Sequence, residues 1–372
     1  MASGGDRFRA LVLLTDAFGA VGGIQLYNRD LLRALCVHPR CAEIVAIPRQ
    51  MRYPPEPLPE RLVHETAGLH GAGRYLRTLV RMLTGGGFDL VVCCHLNLLP
   101  LACSASRFCR APLVLLLFGK EAWQPPRNPL TRRLISQVDV IAAISRVTDE
   151  RFRSWARVRQ TETVLLPNAI HLDQYGPGPK DPDLVRRFGL EGKVVLMTFG
   201  RLESRDRQKG FDEVLHLMPE LSREYPDLAY LIAGEGPDRT RLEQEAASLG
   251  LSDRVVFTGM VPEADKAAYY RLADAYVMPS RKEGFGFVFL EAMACGIPVI
   301  ASRTDGSREA VRDGLLGALV DPDQPTELHQ AIREALRKPR GVIPEGLAYF
   351  SFENFTRRVG ELVVEVLVRR DG

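Results

Sequence analysis

Short apolar runs and amphipathic stretches alternate along nearly the whole chain. In the first half, residues 10–15, 43–48, 90–95, 112–118, 138–145 and 163–167 are strand-like, and helical spacing falls between them, as at 24–36 and 146–157. This alternation predicts a doubly wound α/β domain. The pattern breaks at Pro167-Asn168-Ala169-Ile170-His171 and again over 175–183, where Pro and Gly crowd together as in a linker. A second series follows, with strand-like runs at 194–200, 228–234, 255–259, 275–279, 298–301 and 318–320. Helix patterns fit 211–224, 239–249, 263–272, 287–295, 307–312 and 326–337, and 352–368 carries one more. The expected organisation is two Rossmann-like doubly wound domains, 1–170 and 191–351, joined by a linker at 171–190 and followed by a terminal segment, 352–372. In open α/β sheets ligands bind at the carboxyl ends of the strands, so two such domains facing each other would form one deep cleft.

The length of 372 residues also favours two domains over one core. Apolar residues make up 46% and charged residues 26%, a globular composition without a run long enough to span a membrane. Arg7 and Arg9 precede an apolar run, as in a secretory leader, but Thr15-Asp16 ends it early and a first strand fits better. Seven cysteines form no Cys-x-x-Cys pair, which reads as reduced, mostly buried thiols and a cytoplasmic location. Cys93-Cys94-His95 makes a poor metal site, because adjacent residues of a strand face opposite ways.

Charge is unevenly spread. Residues 1–175 hold 22 Lys/Arg against 14 Asp/Glu, whereas the remainder holds 27 against 32. A basic first half suggests an anionic partner there. The helical stretch 74–83 carries Arg74, Arg77 and Arg81 among apolar residues. It suits either a solvated face packed on its own sheet or an anionic membrane surface, with a peripheral place at the inner membrane face. Nucleic acid is disfavoured, since aromatic residues do not interleave with the basic ones.

Five loops fall at the carboxyl ends of expected strands. The most informative is 280–296. It opens on Glu283-Gly284-Phe285-Gly286, becomes an apolar helix from Phe287 and stops at Gly296. A helix N-terminus behind glycines is an anion site, usually for phosphate. Glu283 lies in the turn and Glu291 inside the helix, where a buried carboxylate needs donors such as a ribose diol. Gly200-Arg201 and Lys209-Gly210, with Arg205 and Arg207 between, place cations for a diphosphate. Gly234-Glu235-Gly236-Pro237 is a tight turn, and Met260-Val261 offer apolar surface to a flat base. Gly22-Gly23 precede the first helix without a full dinucleotide fingerprint.

Together these loops resemble the family-4 glycosyltransferases, retaining, nucleotide-sugar-dependent enzymes of the two-domain GT-B fold. The resemblance spans nearly the whole chain and is most specific in Glu283 through Glu291, the family's E-x7-E motif, and in Gly200-Arg201 with Lys209-Gly210. Asp305-Gly306-Ser307-Arg308-Glu309 is similar to the family's Gly-Gly-x-x-Glu turn, with Asp for the first Gly. The resemblance implies that Arg201 and Lys209 hold the donor diphosphate and that Glu291 binds the ribose. Glu283 and the backbone of Gly284, Phe285, Gly286 and Phe287 would orient the sugar, and Gly23 would approach the phosphates from the opposite domain. The terminal helix would cross back to the first domain. Many relatives carry His-Gly after the fourth strand of the first domain; here Phe118-Gly119-Lys120-Glu121-Ala122-Trp123 stands there, fitting a Gly-x-Glu-x-Trp subgroup. Either His95 serves instead or the sugar is contacted differently.

Asp181-Pro182-Asp183 and Asp321-Pro322-Asp323 match an Asp-x-Asp metal motif but read as turn and capping residues, so no metal and no cofactor is expected. The expected partners are a nucleotide sugar and a saccharide, lipid-linked or small-molecule hydroxyl acceptor. A sugar phosphorylase on the same fold and a non-catalytic sugar-nucleotide-binding subunit remain as alternatives. A dehydrogenase is weaker still, for lack of Gly-x-Gly-x-x-Gly after the first strand.

Overall fold

The computed structural model describes residues 7–19, 22–53, 57–158, 161–204 and 207–371. The chain divides into two compact units, Met1–Ala169 with Phe352–Gly372, and Ile170–Ser351.

In the first unit β1 (Phe8–Leu14), β2 (Cys41–Pro48), β3 (Leu62–His64), β4 (Leu90–Cys93), β5 (Leu113–Leu117), β6 (Val140–Ala143) and β7 (Glu162–Leu165) form one sheet. Its order is β3-β2-β1-β4-β5-β6-β7 and every pairing is parallel. Parallel strands are covered on both faces, which is why β5 is apolar without alternation and fully buried, and why β1 is too from Ala10 to Leu14, only the partly exposed Arg9 near its start being charged. The helices are α1 (Gly23–Cys36), α2 (Ala72–Thr84), α3 (Leu99–Cys109), α4 (Pro129–Leu134) and α5 (Arg146–Arg153). The stretch 50–70, which shows no strand signal in the sequence, contains β3, whose three residues are too few to show a period. Residues 54–56 of that stretch lie outside the described residues.

In the second unit β8 (Val194–Phe199), β9 (Leu228–Ala233), β10 (Val255–Phe257), β11 (Ala275–Met278), β12 (Val299–Ser302) and β13 (Ala318–Val320) form another parallel sheet, ordered β10-β9-β8-β11-β12-β13. Its helices are α6 (Pro182–Phe188), α7 (Phe211–Glu224), α8 (Arg239–Ser248), α9 (Lys266–Tyr270), α10 (Phe287–Ala294), α11 (Ser307–Ala310) and α12 (Pro325–Arg337). The stretch 171–190, expected as a linker, is bound into this unit. Lys180 Nζ donates to Asp274 at 2.7 Å and Arg271 Nε to the Gly176 carbonyl at 2.8 Å. Asp181 caps α6 through the backbone N–H groups of Asp183 and Leu184, with Pro182 at the first helical position.

Both units are Rossmann-like, and in each the strand order reverses once, between β1 and β4 and between β8 and β11. Such a switch point separates the neighbouring loops and leaves a crevice at the carboxyl ends.

The last helix, α13 (Phe352–Asp371), crosses back and packs on α1 in the first unit. Phe355, Val359 and Val366 are fully buried, and the Phe355 ring meets Tyr27 edge-on at 5.5 Å. Tyr27 in turn donates its hydroxyl to the Leu166 carbonyl at 2.8 Å, so the ring is fixed from both ends. Phe355→Ala should therefore cost the first unit ~3–5 kcal/mol, read as a lower denaturant midpoint, because a rigid aromatic site cannot collapse onto the void. A midpoint unchanged from wild type would show that α13 contributes no core.

Candidate functional site

The predicted donor residues of the second unit gather on the switch point of its sheet. Gly200, Arg201 and Lys209 follow β8, and Glu283 to Gly286 follow the adjacent β11. α10 starts after Gly286, whose φ of 95° suits glycine; a Cβ there would also lie 2.7 Å from the Phe289 ring. The helix opens with no side-chain cap, and its Phe289 N–H turns back to the Gly286 carbonyl at 3.3 Å.

Lys209 Nζ donates to the Glu283 carboxylate. The two loops are further tied by the Arg281 N–H, which donates to the Gln208 carbonyl at 2.9 Å. Arg201 is turned elsewhere: its guanidinium is exposed and pairs with Glu203 at 2.8 Å. Lys209 and Glu283 are thus brought together, while Arg201 would have to leave Glu203 to reach an anion beside them. Arg205 lies outside the described residues, and Arg207 lies 3.6 Å from Asp238. Phe285 is buried against Phe350, ring centroids 5.4 Å apart, so only its backbone is available to a ligand.

The neighbouring loops form a platform. The Gly234 N–H donates to the Gly259 carbonyl at 3.1 Å, which joins the turn holding Glu235 to the one holding Met260 and Val261. Glu235 pairs with Arg239 at 2.9 Å, and Met260 stands 80% exposed, an uncovered apolar surface at the sheet's edge.

Glu291 differs from the sequence expectation in one respect. Its carboxylate is buried, as foreseen, but the protein itself supplies donors: Lys266 Nζ at 3.0 Å and the Tyr270 hydroxyl at 2.6 Å. Burial depresses the basicity of the Lys266 ammonium, but the carboxylates of Glu291 and Glu263 outweigh it and the net shift is upward. Tyr175 also bonds to Glu291; burial first, then the two carboxylates, hold its hydroxyl far above its ordinary pKa. Desolvation of Glu291 is thus met without a ribose. Lys266, Tyr270 and Tyr175 were not legible as site residues, because a lysine and two tyrosines in separate segments carry no spacing signal.

Two family models match this chain: "Glycosyltransferase Family 4" over residues 21–174 and "Glycosyl transferases group 1" over 183–345. The GDP-mannose-dependent α-(1-6)-phosphatidylinositol monomannoside mannosyltransferase of Mycolicibacterium smegmatis is 34% identical over 66% of this chain and 66% of its own length. The D-inositol 3-phosphate glycosyltransferase of Geodermatophilus obscurus is 37% identical over 47% of this chain and 40% of its own. The matches thus span less than two thirds of these relatives. Among solved structures, Anabaena HepE in complex with UDP superposes with a TM-score of 0.74 at 21% identity, covering 95% of this chain and 99% of that one. Sucrose-phosphate synthase from Thermosynechococcus elongatus gives 0.72 at 22%, over 97% and 100%. The chain belongs to the family-4 glycosyltransferases. Its fold, two Rossmann-like parallel-sheet domains, is that of the GT-B members.

The first unit carries the rest of the glycosyltransferase residues predicted. Gly22-Gly23 open α1 after β1, and His95 follows β4, so they flank the switch point of that sheet. His95 Nδ1 accepts from the Asn97 N–H at 3.1 Å, and burial lowers its pKa, which favours the neutral ring. Phe118, standing where many relatives have His, packs edge-on against Tyr27 at 5.1 Å as a core ring. Glu121 accepts the Phe118 N–H at 2.6 Å; burial raises its pKa, and it acts as the brace of its own turn. Asp16, which reads from sequence only as ending the first strand, organises the 15–19 loop by accepting from the Ala17 and Gly19 N–H groups.

Lys266→Met should destabilise the second unit by ~3–5 kcal/mol, the scale for stranding one partner of a buried ion pair. Calorimetry of the isolated variant measures this. A shift of a few tenths of a kcal/mol instead would mean that the tyrosines alone satisfy Glu291.

Proposed function

We propose that this protein is a retaining, metal-independent hexosyltransferase that moves a sugar from a nucleoside diphosphate to a hydroxyl acceptor. The reading rests on one observation above all: a lysine and a carboxylate meet beside the N-terminus of α10, which no side chain caps, on the switch point of a parallel sheet. The ammonium and the helix N–H groups suit a diphosphate, and the carboxylate suits the hydroxyls of the sugar attached to it.

As the bond between the sugar's anomeric carbon and the diphosphate oxygen breaks, negative charge grows on the diphosphate. Lys209, Arg201 once released from Glu203, and the α10 N–H groups would stabilise that charge. The anomeric carbon takes on oxocarbenium character. The acceptor hydroxyl attacks on the face the diphosphate leaves, its proton passing to the departing diphosphate, so the configuration is retained. Glu283 orients the sugar, Glu291 takes the ribose by exchanging one of its tyrosine donors, and Glu235 with Met260 and Val261 receives the base. His95 and Gly22-Gly23 serve from the first unit, which would take the acceptor.

The acceptor is proposed to be anionic or membrane-borne. On α2, Tyr75, Thr78 and Leu79 turn inward, whereas Arg74, Arg77 and Arg81 share the exposed face with Leu76 and Val80, each 50% exposed. Arg81 is engaged by Glu65 at 2.6 Å, so Arg74 and Arg77 would lead the contact. Among the described residues no helix is long and apolar enough to cross a membrane.

Thermal shift against a nucleotide-sugar panel tests donor use, since a bound donor stabilises by mass action. GDP-mannose, named for the M. smegmatis relative, and UDP-glucose, the ligand of an Anabaena HepE structure, head that panel. Lys209→Ala should lower turnover about 10²–10³-fold and weaken nucleoside diphosphate binding, on the scale of one lost preorganised donor. Wild-type turnover in that variant, or product formed from inorganic phosphate without nucleotide, would sink the reading. The anomeric configuration of the product, seen by NMR, checks retention, and undiminished turnover in chelator checks metal independence.

Replacing Arg74, Arg77 and Arg81 together by Gln should reduce sedimentation with anionic vesicles, and added salt should do the same to the wild type. Equal binding to neutral and anionic vesicles, or none to either, would favour a soluble acceptor.

A further inference from the structure

Asp305 stands where the family's turn has glycine, and the structure gives its side chain four donors. It lies in the turn between β12 and α11, fully buried. Its Oδ2 accepts from Ser280 Oγ at 2.8 Å and from the Glu283 N–H at 2.7 Å. Its Oδ1 accepts from the Ser307 N–H at 3.0 Å and from Ser307 Oγ at 2.6 Å. An aspartate that merely capped its own turn would need only the Ser307 bonds. The Oδ2 pair reaches across to the loop after β11.

The neighbouring Gly306 completes the tie from the other side. Its N–H donates to the Glu283 carbonyl at 2.9 Å, and a Cβ on it would stand 2.0 Å from the Gly284 oxygen. Both backbone groups of Glu283 are thus bonded to residues 305 and 306, which leaves its side chain alone to face Lys209. Burial raises the pKa of the Asp305 carboxyl, and its four donors oppose that rise. Each carboxylate oxygen faces one backbone N–H, which cannot reverse its role. An amide has a single acceptor oxygen, so it must turn its NH2 toward one of those N–H groups.

We propose that Asp305 is a positioning residue for sugar transfer: its carboxylate sets the backbone of Glu283 and thereby the reach of the Glu283 carboxylate toward the donor sugar. This rests on the reading of Glu283 as the sugar-orienting acid.

The test is a double-mutant cycle with Asp305→Asn and Glu283→Gln, read as turnover, nucleoside diphosphate affinity and thermal stability. Asp305→Asn should lower kcat by about 10–100-fold, the scale of an ångström of misplacement, and leave nucleoside diphosphate affinity within about threefold. In the Glu283→Gln background the same change should add less than about threefold, because the group being positioned is already gone. Ser280→Ala removes one tie and keeps both backbone bonds. It should lower kcat by only a few-fold, again without adding to Glu283→Gln, and it carries the test if the Asn variant fails to fold. Losses that multiply, or an affinity that falls in step with kcat, would overturn the proposal and leave Asp305 a structural residue. Wild-type turnover in Glu283→Gln itself would overturn the reading of Glu283, and this proposal with it.

Discussion

Everything at the site follows from the parallel pairing of six strands whose order turns round between β8 and β11. Because all the strands point the same way, their following loops emerge on one edge. Because the order reverses there, the loops after β8 and β11 diverge into different connections and leave room between them. Lys209 and Glu283 are 74 positions apart in the chain and meet only for this reason. The same geometry delivers the N-terminus of α10 to the spot, so cation, carboxylate and helix N–H groups converge without any loop having to be long.

A second constraint is the burial of acids. Glu291 and Asp305 are both almost inaccessible, and a carboxylate in such surroundings is tolerated only when it is fully hydrogen-bonded. Each has been given its donors by segments remote in sequence, and each therefore acts as a tie. Glu291 joins α10 to α9 and to Tyr175, which belongs to the stretch that reads as a linker. Asp305 joins the turn after β12 to the turn after β11. Polar ties of this kind hold loops in one arrangement with a precision that apolar contacts, being non-directional, do not supply.

The first unit repeats the architecture with different chemistry. Its switch point carries glycines and a neutral histidine rather than a lysine–carboxylate pair, and a buried aspartate, Asp16, again organises the first loop. Its fold is completed from the far end of the chain, since α13 supplies Phe355 and a row of valines to the core beneath α1. The aromatic Phe118 in place of the usual histidine is part of that core, touching Tyr27, which touches Phe355.

The sequence alone determined the alternation of strands and helices, apart from β3 and α6, the repetition of an α/β unit and the loops that carry the candidate site. Apolar runs, helical periods and glycines are local signals, and burial acts on them locally. Glycine followed by Phe287 was enough to mark the start of α10, and Glu283 was visible as a polar residue in the turn before it. Only the tertiary structure decided who partners whom. That Lys209 takes Glu283 while Arg201 takes Glu203, that Glu291 is satisfied by Lys266 and Tyr270, and that residues 171–190 pack on the second sheet all depend on contacts between distant segments. A carboxylate's need for donors can be read from a sequence, but the donors' identities cannot. They are set by which turns the sheet places side by side.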